Sequence, residues 1–94
     1  PWRERKEAYI AHLQTASPSV RLVSAADKLY NARSIIKDYR LVGEEIWQRF
    51  TGGREGSLWY YRTLVDTLTA IDDRAIIEEL ERVVQELETL TGHS

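Results

Sequence analysis

The chain has 94 residues, with 13 Lys and Arg against 15 Asp and Glu, and a formal charge of -2 at pH 7. That length accommodates one domain at most, and the absence of Cys excludes a disulfide framework and a thiolate metal site. Apolar runs of only a few residues exclude a transmembrane helix, and the near-neutral charge argues against a basic nucleic-acid binder. No signal-peptide pattern opens the chain. The expectation is therefore a cytoplasmic location, with neither membrane nor nucleic acid as partner. Val, Ile, Leu and Phe make up about a quarter of the residues, enough to argue against intrinsic disorder. The chain lacks Met and begins Pro1-Trp2, so it is expected to be processed or cut from something longer.

A first helix is predicted from Trp2 to Ala16, with Trp2, Tyr9, Ile10 and Leu13 near one face and Arg3 to Glu7 as solvated charge. Ser17-Pro18 reads as an N-cap followed by Pro at the first helical position. The second helix follows, from Pro18 to Arg40 or Val42, and Gly43 ends it. A short helix spans Glu44 to Phe50 and stops at Thr51-Gly52-Gly53. A fourth runs from Glu55 or Ser57 to Ala70. Asp72 is expected to cap a fifth, Asp73 to Leu90, with Gly92 beyond its end. No segment alternates with period two. The fold class expected is all-α, a bundle of four to five helices forming one unit over residues 1–94.

The second helix carries the information. Leu22, Ala26, Leu29 and Ile36 form an apolar stripe, flanked by Val23 and Tyr30. Beside it runs a polar line, Ser24, Asp27, Asn31, Ser34 and Asp38, at steps of three and four. Asp27 sits at the edge of the apolar surface, where a carboxylate needs a partner. Either a divalent metal or a neighbouring Lys or Arg can supply one.

The segment Leu22-Val-Ser-Ala-Ala-Asp-Lys-Leu-Tyr-Asn-Ala-Arg-Ser34 resembles the last motif of the HD-domain phosphohydrolases. It is most similar to the branch containing the stringent-response alarmone hydrolases, which act on guanosine tetra- and pentaphosphate. That branch reads approximately K-x-A-D-[RK]-L-x-N-x-R here. Ala26, Asp27, Lys28, Leu29, Asn31 and Arg33 match it; Ser24 stands where the branch often has Lys. Pro1 to Tyr9, Gly43 to Phe50 and Ser57 to Tyr61 resemble the flanks of the motif in small bacterial members. The likeness spans about Trp2 to Leu68.

The resemblance implies that the chain is the C-terminal part of an HD domain. Such enzymes hold one divalent metal, Mn or Mg, through an early His, a His-Asp doublet and a late Asp. Asp27 corresponds to the late Asp, and the His and His-Asp would precede Pro1. Lys28 would offer charge to substrate phosphate, and Asn31 would hydrogen-bond ribose or base. No catalytic residue is assigned within the chain. One carboxylate cannot hold such an ion tightly, so the isolated chain is expected to be inactive and without a tightly bound metal. The substrate expected for the parent is a phosphorylated nucleotide or related phosphoester. The alternative is a non-catalytic helical protein-interaction or dimerisation module.

Other features read more plainly. His12 has no second metal ligand at neighbouring helical positions and reads as structural or solvated; His93 suggests no role. Thr51 to Ser57 has glycines and an Arg before a helix but lacks the Gly-Lys-Ser/Thr of a phosphate loop, and reads as an interhelical turn. Trp47, Phe50, Trp59, Tyr60 and Tyr61 read as packing. The last helix repeats Ile76, Leu80, Val83, Leu87 and Leu90 at steps of four and three, a seam for the bundle or for a partner. Removal of half a bundle would uncover that seam together with Leu22, Leu29 and Ile36, so a homo-oligomer is expected.

Overall fold

The structure, a computed structural model, describes residues 1–92, and all of its regular elements are helical. Helix α1 is Trp2–Thr15, α2 is Pro18–Val42, a 3₁₀ segment covers Gly43–Arg49, α3 is Gly53–Ile71 and α4 is Ala75–Thr91. The all-α bundle expected from the periodicity is present, with no strand among the described residues. His93 lies outside them.

Local chemistry sets most of the boundaries. Ser17, in extended backbone, accepts a hydrogen bond from the Val20 amide at 3.2 Å, and Pro18 opens α2. This is the cap that the Ser-Pro pair predicts. Gly43 ends α2 at φ +69°, a conformation open to glycine at little cost. The short helix after it is 3₁₀ rather than α, and α3 starts at Gly53, ahead of the expected Glu55 or Ser57.

Asp72 does not cap α4. Arg74 occupies the N-cap position, with no side-chain cap bond. The Asp72 carboxylate instead accepts from the Arg74 amide and guanidinium at 2.6–3.0 Å and lies 3.7 Å from Arg21 Nε. Arg21 donates to the carbonyl of Ala16 and Arg74 to that of Pro18. The two arginines thereby tie the start of α2 to the α3–α4 turn. A buried Asp between two guanidiniums is better satisfied there than on one helix terminus.

The core lies among α2, α3 and α4. Leu64, Val65, Leu68, Ile77, Leu80, Val84 and Leu87 are fully enclosed. Arg33 and Arg40 of α2 reach Glu79 and Glu86 of α4 at 2.7 and 2.9 Å, the same spacing on both helices. The two helices therefore run side by side in one direction. On α3, Arg62 bonds Glu88 through two nitrogens at 2.7 and 3.0 Å and also reaches Glu81.

The buried face of α2 is rotated from the expected stripe. Ser24, Ala25, Leu29, Ala32, Ile35 and Ile36 are buried, whereas Leu22, Val23, Ala26 and Tyr30 are exposed. Ala25 and Ala32 let neighbouring helices approach closely, and this sets the rotation of α2 over its larger residues. The expectation of uncovered faces is corrected as well. The seam on α4 and the side chains of Leu29 and Ile36 are covered within one chain; of the residues named for association, only Leu22 stays exposed. Short connections fold α4 back onto α2 and α3, so no partner is needed to cover it.

Candidate functional site: a two-lysine aromatic cleft

Trp2, Lys6, Tyr9 and Leu13 recur at steps of four, three and four, so Lys6 shares the inward face of α1 with the aromatic residues. On α2, Lys28 and Asn31 lie three apart. On α3, Ser57, Tyr60 and Tyr61 occupy the second and third turns. These three helices enclose a cleft of about 220 Å³, whose lining includes Trp2, Lys6, Lys28, Asn31, Tyr60 and Tyr61. Two cations, Lys6 and Lys28, share this lining with polar and aromatic side chains.

Lys28 Nζ lies 5.1 Å from the centre of the Tyr9 ring, and its side chain is only 15% exposed. Lys6 Nζ lies 4.6 Å from the centre of the Tyr60 ring. Burial, then the nearby Lys28 and Arg5 charges, hold the Lys6 ammonium below its ordinary pKa. Among the described residues Lys6 has no carboxylate within 4 Å. Tyr9 is fixed by a short hydrogen bond between its hydroxyl and that of Ser24, which is how α1 meets the polar line of α2.

Burial raises the Tyr60 phenol, helped by Tyr9, Tyr61 and Asp27; burial and Asp27 push Tyr61 up to about 12. Both phenols keep their protons at neutral pH and remain able to donate. Two lysines, two tyrosines, Asn31 and Ser57 thus line the cleft, and side chains of these types can donate hydrogen bonds to an oxyanion.

Asp27 borders the cleft without entering it. Its side chain is 64% exposed, and its oxygen lies 3.4 Å from Lys28 Nζ. It shares an open hollow with Tyr9, Val20 and Val23, while Asn31 lines the cleft and a second hollow with Ser34 and Asp38. Asp27 and Asn31 therefore occupy adjacent hollows rather than the single groove that their spacing suggests. Four residues turn the helix by about 400°, and the remaining ~40° carries Asn31 toward α3 and leaves Asp27 outside. Lys28 lines the cleft with Asn31 and reaches back to Asp27.

No group of three or more His, Cys, Asp or Glu residues among those described could hold a metal ion. Asp27 is a single exposed carboxylate beside Lys28. His12 is exposed on the last turn of α1, consistent with a solvated side chain.

The glycine-rich turn has a packing explanation. A Cβ on Gly52 would lie 2.4 Å from the Trp2 ring, and one on Gly56 3.1 Å from it. The glycines seat Trp2, which meets Trp59 edge-on at 6.1 Å, while the Arg3 guanidinium lies 3.5 Å over the Trp59 ring. Arg54 is occupied by Glu44, Glu55 and the Thr91 carbonyl, at 2.7 Å for the last. It braces the bundle, as an interhelical turn implies.

Lys6, Trp2, Tyr60 and Tyr61 join Lys28 and Asn31 in the cleft although sequence reasoning assigned them to solvent or core. The helical spacing of Lys6 with Trp2 and Tyr9 was the available signal. The chain matches no protein-family model and no curated protein. No helix among the described residues is long and apolar enough to cross a membrane.

Proposed function

We propose that this chain is the phosphate-holding part of an HD-type metal-dependent phosphohydrolase, acting in its parent on a phosphorylated nucleotide or related phosphoester. One observation carries the reading: Lys28 and Asn31, two residues of the HD-like motif, meet Lys6 in a donor-rich cleft bordered by the motif's Asp27. Lys28 and Lys6 would neutralise phosphoryl oxygens, and Asn31 would orient the adjoining part of the substrate. The cleft is smaller than the ~300–1,000 Å³ of typical ligand pockets, which suits a phosphoryl end rather than a whole nucleotide. When bound, a divalent ion supplies an activated water. Asp27 would contribute one ligand, and the motif resemblance places the others before Pro1. The exposed Val20, Val23 and Tyr30 around Asp27 supply an apolar surface on which such a segment could pack.

Two experiments separate the parts of this reading. Calorimetric titration of the chain with pyrophosphate should show binding that Lys28→Gln and Lys6→Gln each weaken by about tenfold, or ~1.4 kcal/mol. Binding unchanged in both variants would remove the cleft from the proposal. Expression with the segment encoded upstream of Pro1 should yield Mn²⁺-dependent phosphoester hydrolysis that Asp27→Asn abolishes. An upstream segment with no His and His-Asp, or activity indifferent to Asp27→Asn, would overturn the enzyme assignment.

A further inference from the structure

The groove between α2 and α4 lies away from the lysine cleft and has a different character. Its floor is apolar, with Ile36 and Val83 nearly closed off from solvent, and Leu41 stands at one end with 74% of its surface exposed. One wall is a basic row on α2, Arg33, Lys37 and Arg40. The other is an acidic row on α4, Glu79 and Glu86. Both rows repeat at seven residues, and the helices run in the same direction. Arg33 and Arg40 are bonded across the groove, yet more than half of each side chain remains exposed. Lys37 has no carboxylate within 4 Å among the described residues.

A basic row beside an acidic row is self-complementary under only one kind of two-fold axis. With the axis in the interface and parallel to the helices, each copy's basic row faces the other's acidic row. With the axis across the helices, like charges would meet. We infer that this strip is a symmetric contact between two copies of the chain, in which Leu41 of each copy is buried against the other and Lys37 gains an acidic partner. The arrangement is isologous and closes at two copies. Charge sets the orientation and the apolar contact drives association. The exposed Val20, Val23 and Tyr30 toward the other end of α2 have no such paired rows, so a second copy is not the occupant indicated there. The inference is independent of the phosphohydrolase reading.

Sedimentation or light scattering across a concentration series tests it on the 94-residue chain. The expected result is a mass that doubles at high micromolar concentration, with Leu41→Glu monomeric throughout and Lys37→Glu shifting the midpoint upward by about tenfold. Both positions are exposed, so the helical circular dichroism of each variant should match the parent. A parent chain that stays monomeric at high micromolar concentration would overturn the inference. So would a dimer that persists in Leu41→Glu and disappears in Val23→Glu, since that places the contact at the other end of α2.

Discussion

Helices α1 and α4 each pack one face on the bundle, yet they are held by different physics. Helix α4 buries Ile77, Leu80, Val83, Val84 and Leu87 as a continuous seam. Helix α1 buries only Ile10 and Leu13 and attaches otherwise through rings and polar contacts: Trp2 on the glycine turn, Tyr9 to Ser24 and Arg3 over Trp59. Dispersion in a closed core favours stability, whereas cations kept near rings sacrifice solvation to leave charge available. The element that gives most to the fold is therefore not the one that gives most to the cleft.

The largest effect should come from the seam. Leu80→Ala, at a fully enclosed position, should cost about 2–5 kcal/mol by urea unfolding. A cost below ~1 kcal/mol would mean that α4 contributes no more than α1. Gly52→Ala comes next. The new Cβ would overlap the Trp2 ring while the backbone angle stays ordinary, so the loss of ~1–3 kcal/mol reflects displacement of Trp2 alone. Tryptophan fluorescence should shift, and hydrogen exchange should quicken in α1 while α4 amides stay protected. Equal quickening in both helices would erase the contrast between them.

The α2 to α3–α4 tie should reveal itself through pH. Hydrogen bonds from Arg74, with the Arg21 charge adding to them, hold the Asp72 carboxyl below its ordinary 3.8. The native state therefore binds this proton less readily than the unfolded chain. Its contribution is complete above about pH 4 and is lost as pH falls through the native value. Chemical unfolding between pH 5 and pH 2 should show that loss, and Asp72→Asn should remove it. A variant with the parent's acid profile would place the acid sensitivity elsewhere.

A smaller change is expected at Arg62, whose side chain keeps more than a quarter of its surface in solvent. A double-mutant cycle between Arg62→Met and Glu88→Gln should give a coupling of about 1 kcal/mol or less. Lys6→Met should have the smallest effect on folding, and of the opposite sign. Burial lowers the Lys6 pKa, so its charged form opposes folding at neutral pH, and that opposition fades as pH rises through the native value toward 10.5. The variant should be slightly more stable than the parent near pH 7 and lose pyrophosphate affinity. A destabilised variant would identify Lys6 as a packing residue rather than a charge held for a ligand.

Sequence alone determined the helices and most of their ends, because caps, prolines and glycines act within a few residues. Ser17-Pro18, Gly43 and Gly92 were each legible in this way. It also put Asp27, Lys28 and Asn31 on one helix and marked the α4 seam as apolar. What it could not decide was rotation and partnership. Whether Leu22 or Ala25 turns inward depends on which helices arrive against α2. Asp72 binds Arg74 beside it and Arg21 from α2, far away in sequence, instead of capping α4, because the turn brings both guanidiniums to it. Lys6 reads as one more charge in Arg3 to Glu7 until α1 settles on α3 and sets it opposite Lys28. Only the tertiary structure makes that pairing, since it depends on a long-range approach of helices that no local pattern encodes.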